Sequence, residues 1–207
     1  MRKFIIAAFV ALLSVSAFGQ TAEQLWGDLM AGNQLFVKGG QVVYDSLRET
    51  RREGTTSQRP PVSILSCSDS RVPPEVVFQK TLGELFVVRV AGNVDDEFGI
   101  ASLEYAAIAP REWTKLIVVL GHSNCGAVQA SLEAPRPPPP FLPTPSLYAL
   151  IIRIRKSFTV EKPELRAATV MNVNYTAQQL ANNDSLKRVP IIKAYYDIAT
   201  GKVERLR

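Results

Sequence analysis

The segment LIVVLGHSNCG, residues 116–126, indicates the fold class because it leads from a strand through a polar turn into a helix. Its first five residues are apolar and mostly β-branched, as in a buried strand, and a helix is expected to open at Cys125. Further short apolar runs occur at 62–65 and 85–90, and a helical pattern at 99–109 follows the second run. This alternation predicts an α/β fold with a mostly parallel central β-sheet flanked by helices.

Helical periodicity and turn residues organise the rest of the chain. Thr21 stands as an N-cap before apolar residues at helical spacing, which predicts an N-terminal helical arm over residues 21–37. The polar and basic residues 38–60 predict a surface connection, and the proline-rich segment 135–145 predicts an exposed loop. The remaining predicted elements are helices at 146–157 and 164–182, a final strand within 189–197 and a turn at Thr200 and Gly201.

Residues 1–19 have the pattern of a secretory signal peptide. Arg2 and Lys3 precede an apolar run at 4–13, and small residues near position 19 provide a cleavage site. An uncleaved membrane anchor is the alternative, but the run is short for a bilayer span of about 20 residues. We therefore expect residues 20–207 to form a single exported domain, periplasmic or secreted, with no stable membrane insertion after cleavage.

The composition is that of a globular enzyme rather than a nucleic-acid-binding protein. A chain of 207 residues with 46% hydrophobic residues can build the core of one domain. Removal of Arg2 and Lys3 leaves 22 basic residues (24 − 2) against 19 acidic residues, a net charge near +3. The basic residues are scattered and have no aromatic stacking platform beside them, so we expect no nucleic-acid partner.

Two cysteines and the only histidine of the chain form a candidate metal site. His122 lies three residues before Cys125, and Cys67 directly follows the first predicted strand. Because ligand sites of parallel sheets gather at the carboxyl ends of the strands, the three side chains are expected to meet there. Two thiolates and one imidazole suit zinc, which keeps a fourth position for water or for a carboxylate such as Asp69.

A disulfide is the alternative interpretation of the cysteines. Export to an oxidising compartment permits one, and an even number of cysteines invites it. The chain would then be a non-catalytic exported α/β binding module with a bond between Cys67 and Cys125. The histidine and aspartate at ligand-like spacing favour the metal.

Four short motifs resemble the β-class carbonic anhydrases over about residues 60–130. They are CSDSR at 67–71, RVAGN at 89–93, SLEYA at 102–106 and GHSNCG at 121–126. The resemblance implies reversible hydration of carbon dioxide to bicarbonate and a proton by zinc-bound hydroxide. Zn²⁺ is then the cofactor.

The resemblance also implies a role for each site residue. Cys67, His122 and Cys125 hold the zinc, and an Asp–Arg dyad of Asp69 and Arg71 assists catalysis. In a closed state Asp69 becomes the fourth zinc ligand and displaces the water. Family members are dimers or higher assemblies, so a homodimer or higher even homo-oligomer is expected.

Several finer expectations concern the surroundings of the zinc. Val72, Val90 and Ala91 are candidate walls of the substrate pocket, and Gln79 is a candidate active-site glutamine. Some members have a second bicarbonate pocket with a tryptophan, an arginine and a tyrosine; Arg89 and Tyr196 match it here, but Ile64 replaces the tryptophan. Because His122 is committed to zinc, proton release is expected to use external buffer, a carboxylate or a tyrosine such as Tyr105. A zinc protein of this fold with another hydrolytic role is a further alternative.

Overall fold

A five-stranded sheet forms the centre of the molecule in the computed structural model, which describes residues 19–40, 47–108, 111–135 and 144–207. The strands are β1 (Val62–Ser66), β2 (Leu85–Arg89), β3 (Leu116–His122), β4 (Ile191–Tyr196) and β5 (Val203–Arg205), in the spatial order β2-β1-β3-β4-β5. The first four strands pair in parallel, and β5 runs antiparallel to β4. The predicted α/β class and mostly parallel sheet are therefore confirmed.

Helices cover both faces of this sheet. They are α1 (Ala22–Val37), α2 (Leu47–Glu53), α3 (Pro74–Val77), α4 (Glu97–Ala107), α5 (Gly126–Glu133), α6 (Pro145–Arg155) and α7 (Leu165–Ala181). A 3₁₀ turn at Ala91–Asn93 connects β2 to α4. The predicted helical arm and the helices predicted at 99–109, 146–157 and 164–182 are confirmed, with ends that differ by a few residues.

The alternation of side chains along β1 and β3 divides the core into two layers. Every residue of both strands is buried, as expected for central strands of a sheet that is covered on both faces. One layer packs the sheet against α1 and includes Leu29 and Ile64. The other packs it against α4 and α7 and includes Leu65 and Val119.

The N-terminal arm is anchored in the core of its own chain. Thr21 and Gln24 form a capping box at the start of α1, and the apolar face of the helix packs on the sheet. Asn33 donates from its amide to the carbonyls of Val77 and Gly201 and accepts from the Val203 N–H. These bonds tie α1 to α3 and to the β4–β5 hairpin.

Three of these helices and strands were absent from the sequence prediction: α2, α3 and β5. Helix α3 has only four residues. Helix α2 lies in the segment that was predicted as a surface connection, and it has no buried residue, so no apolar period marks it. The strand at β4 was predicted to be the last, but β5 follows it; β5 has only three residues, too few for a periodic signal.

The predicted signal peptide and the proline-rich loop fall mostly outside the described residues, which omit 1–18 and 136–143. Within the described ranges, no helix is both long enough and apolar enough to cross a membrane.

Candidate metal centre

Adjacent strand ends bring the two cysteines and the histidine together. Cys67 directly follows β1, His122 is the last residue of β3, and Cys125 is the N-cap of α5. Since β1 and β3 are parallel neighbours, their carboxyl ends lie side by side. The ligand atoms of the three buried residues lie within 4.8 Å of one another, so the group could hold a metal ion. The predicted meeting of these side chains is thus confirmed.

The two cysteines are free thiols separated by the distance that a tetrahedral metal requires. Their sulfur atoms lie 4.0 Å apart, about twice the length of a disulfide bond. Two sulfurs bound to one tetrahedral zinc at about 2.3 Å are separated by about 3.8 Å. The distance between the sulfurs therefore fits two cysteines that bind the same metal ion rather than a disulfide bond.

His122 presents one ring nitrogen to the cysteines without any hydrogen-bond partner among the described residues. Its Nδ1–H donates to the Ser123 carbonyl at 2.9 Å, which places the lone pair on Nε2. The Nε2 atom is buried and unpaired. A backbone carbonyl behind one nitrogen and a free lone pair on the other is the arrangement of a metal-ligating histidine. Two cysteine sulfurs and one histidine nitrogen are ligand atoms that zinc prefers.

Hydrogen bonds at the cysteines favour one thiolate. The bond with Cys125 lowers the pKa of Cys67, and the hydrogen bond from the Gly92 N–H acts in the same direction. The pKa of Cys125 is raised, because its proton is held by the Cys67 sulfur and burial disfavours a second negative charge. A metal cation between the sulfurs would favour ionisation of both thiols.

Asp69 and Arg71 form a bidentate ion pair beside this centre. Arg71 donates from Nε to Asp69 Oδ1 at 2.9 Å and from Nη2 to Oδ2 at 2.7 Å, and its backbone N–H donates to Oδ1 at 2.9 Å. These hydrogen bonds hold the pKa of Asp69 well below its usual range. Asp69 Oδ2 lies 4.0 Å from His122 Nε2, so the carboxylate borders the candidate metal position.

The loop that carries the ion pair is held by two guanidinium groups. Arg71 Nη2 also donates to the Asn124 carbonyl at 3.2 Å, which connects the loop after β1 to the loop after β3. Arg89 donates from Nε to the Cys67 carbonyl at 3.0 Å and from Nη2 to the Asp69 carbonyl at 2.5 Å. Sequence reasoning considered Arg89 only for a second pocket and missed this contact, since no local pattern marks a bond to a main-chain carbonyl.

The predicted pocket walls Val90 and Val72 and the tyrosine Tyr105 lie in different parts of the structure. Val90 packs in the cluster that contains Cys67 and Cys125, whereas Val72 is fully buried in the core layer beneath α1. The suggested tyrosine route is wrong for Tyr105. It packs against Phe86 and Trp113 at the amino ends of β2 and β3, the sheet edge opposite the metal centre.

Three other predicted residues have the following surroundings. Gln79 donates to the Val76 carbonyl at the end of α3. Ala91 is half-buried at the start of the 3₁₀ turn. Tyr196 pairs with His122 in the sheet register and contacts the ring of Phe36.

Comparisons with known proteins agree on one family. The carbonic anhydrase family model matches residues 62–203. A carbonic anhydrase of Mycolicibacterium smegmatis is 44% identical over 109 residues, which are 53% of this chain and 52% of that protein. This chain thus matches about half the length of that curated relative.

Solved structures show the same fold. The β-carbonic anhydrase CcaA superimposes with a TM-score of 0.69 at 24% identity, covering 88% of this chain and 95% of the other. A structure from a pair of tetrameric β-carbonic anhydrases of Sordaria macrospora also superimposes, with a TM-score of 0.65 at 22% identity. The match covers 88% of this chain and 97% of the other.

Proposed function

The chain belongs to the β-class carbonic anhydrase family, and from this we propose that it catalyses the reversible hydration of carbon dioxide to bicarbonate and a proton. Zinc is the proposed cofactor, and Cys67, His122 and Cys125 are its proposed ligands. The observation that carries the proposal is the buried His122 Nε2, unpaired among the described residues and within 4.8 Å of two free thiols.

Zinc bound by these residues would lower the pKa of a coordinated water toward neutrality. Two thiolates would neutralise the charge of Zn²⁺, so its water would be less acidic than one bound beside three neutral imidazoles, and a nearby acceptor would become valuable. Asp69 is that acceptor, because its carboxylate stays ionised beside Arg71 and borders the centre. Its role is to accept a hydrogen bond and so orient the reacting water.

Arg71 keeps Asp69 away from the metal. A guanidinium binds a carboxylate in a fixed fork, and both prongs are occupied by Asp69. This geometry supports an open resting site, in which the fourth metal position is available for water. In the proposed closed form Asp69 leaves Arg71 and becomes a ligand itself.

Arg89 keeps the same loop in place from the other side. Its two hydrogen bonds reach the main-chain carbonyls of Cys67 and Asp69, so a single side chain positions both a ligand and the acceptor. Proton release is proposed to rely on external buffer, because His122 is the only histidine of the chain and is occupied as a ligand. Rates that do not respond to buffer concentration would argue against this route.

We also propose that the protein is exported and acts as an even-numbered homo-oligomer. Residues 1–19 are the proposed signal peptide, which leaves a periplasmic or secreted domain of residues 20–207. The support is the basic and apolar pattern of the leader together with the tetrameric relatives from Sordaria macrospora.

The decisive experiment measures zinc content and carbon dioxide hydration on the same preparation of residues 20–207. About one zinc per chain and stopped-flow hydration activity are expected, with both lost in Cys125→Ser. Ser68→Ala is the matched control, because Ser68 is exposed in the same loop as Cys67 and should keep both properties. Zinc without hydration would point to another hydrolytic reaction, and metal-free protein with oxidised thiols would point to a binding module.

A further inference from the structure

A chain of hydrogen bonds runs from the middle of α7 to a sulfur atom of the metal centre. Asn172 Nδ2 donates to the Gly92 carbonyl at 2.6 Å, and the Gly92 N–H donates to Cys67 Sγ at 3.2 Å. Asn172 is 1% exposed and lies 80 residues from Gly92 in the sequence. A buried amide on a core helix is therefore linked to a candidate zinc ligand through one glycine.

The 3₁₀ turn at Gly92 needs an external clamp. Gly92 has φ 69° and ψ 18°, a left-handed conformation that costs glycine little and fixes it only weakly. A side chain there would also meet Ile154 Cδ1 at 2.8 Å, so the position requires glycine. Asn93 adds no side-chain restraint, since neither polar atom of its buried amide has a hydrogen-bond partner among the described residues.

We propose that Asn172 is a positioning residue that acts through Gly92 to hold an N–H donor on the Cys67 thiolate. The inference rests on the proposed zinc function and adds a residue to it. An N–H donor withdraws electron density from a thiolate, so it lessens charge donation to the metal and keeps the metal a stronger Lewis acid. Loss of the Asn172 amide frees the turn to rotate and weakens that donor.

The test replaces zinc with Co²⁺ in the purified protein and records the thiolate-to-cobalt charge-transfer absorption. Asn172→Leu keeps the branching and the number of heavy atoms but cannot donate, and Asn172→Ala serves if the larger leucine prevents folding. In both, the band is expected at longer wavelength, because a sulfur without its hydrogen bond gives up electron density more easily. Co²⁺ affinity measured by chelator competition should fall about tenfold, because Cys67 is no longer held in its ligating position and this loss outweighs the stronger charge donation of the freed thiolate.

Two variants on the same helix separate positioning from stability. Thr176→Val alters a buried polar residue of α7 whose hydroxyl has no hydrogen-bond partner among the described residues, and Leu180→Ala removes core packing. Both should keep the wild-type band and affinity, even where the protein melts earlier.

The Co²⁺ absorption band and affinity together support or overturn the role of Asn172. A shifted band and weaker affinity in the Asn172 variants alone support the proposal. A wild-type band in an Asn172 variant that merely melts earlier overturns it and leaves the proposed zinc function standing. If wild-type protein binds no Co²⁺ through sulfur, the metal centre itself fails and the proposal falls with it.

Discussion

Packing of α7 on β3 depends on the absence of a side chain at Gly121, the residue before His122. A Cβ atom at this position would lie 2.5 Å from Val173 Cγ2 and 3.1 Å from Thr169 Cγ2. Valine in a helix has one strongly preferred rotamer, so Val173 cannot turn away cheaply. Gly121→Ala must therefore separate the helix from the strand.

A double-mutant cycle between positions 121 and 173 gives the unfolding free energy that this clash costs. Overpacking of a tight core costs about 1–3 kcal/mol, so we expect Gly121→Ala to lose about 2 kcal/mol of unfolding free energy. Val173→Ala removes two methyl groups from a fully buried side chain and should also lose about 2 kcal/mol. In the double variant the alanine methyl at 121 occupies space that the valine left, so the total loss should stay near 2 kcal/mol. The expected coupling is about 2 kcal/mol.

Urea unfolding with chelator and reductant present measures this cycle, because metal binding then contributes nothing to stability. The m-values should be equal across the four proteins, and each loss of about 2 kcal/mol should lower Tm by about 4–8 °C. Additive losses, equal within about 0.5 kcal/mol to the sum of the single variants, would refute the packing argument. Because α7 also carries Asn172, Gly121→Ala should in addition weaken metal binding.

Three other changes probe the site and its support. Arg71→Leu should reduce the rate of carbon dioxide hydration in stopped flow about tenfold or more at unchanged zinc content, because Asp69 is freed toward the metal. The rate of Arg71→Lys should lie between those of the wild type and Arg71→Leu, and full activity in Arg71→Leu would contradict the dyad. Asn33→Leu leaves two carbonyls and one N–H unpaired in the core, so urea unfolding should show a loss of about 3 kcal/mol with unchanged metal affinity. Zinc at 100 times its Kd should stabilise the protein against unfolding by about 2.7 kcal/mol, and no such gain is expected in Cys125→Ser.

Local patterns were enough to locate the parallel strands and the candidate ligands. The apolar runs that became β1 and β3 are buried on both faces, and such runs are visible in sequence as nearly continuous hydrophobic segments, interrupted in β1 by Ser63. Because chemistry at a parallel sheet gathers at the carboxyl ends, the meeting of Cys67 and His122 could be anticipated across 55 residues. Two thiolates and one imidazole indicated zinc, and the family motifs agreed.

Elements with little or no burial escaped the same reasoning. Helix α2 buries nothing, and β5 exposes two of its three residues, so neither leaves a periodic trace. Tyr105 is a different case, because α4 runs back along the sheet and carries that residue to the edge opposite the metal centre. Residue 105 lies towards the C-terminal end of the helix predicted at 99–109, and a helix that links two parallel strands runs back towards their amino ends. The sequence could therefore have excluded Tyr105 from the site.

The residue types that can bind the metal and the strands that carry them follow from the sequence alone, since both depend on neighbours only a few positions apart. The way those ligands are held depends on the folded structure, in which Arg89 donates to the carbonyls of Cys67 and Asp69, and Asn172 donates to the carbonyl of Gly92. These bonds go to main-chain atoms, which every residue possesses, across separations of 20 to 80 residues. No residue pattern encodes such a contact, because it exists only once packing has brought the helix and the turn together.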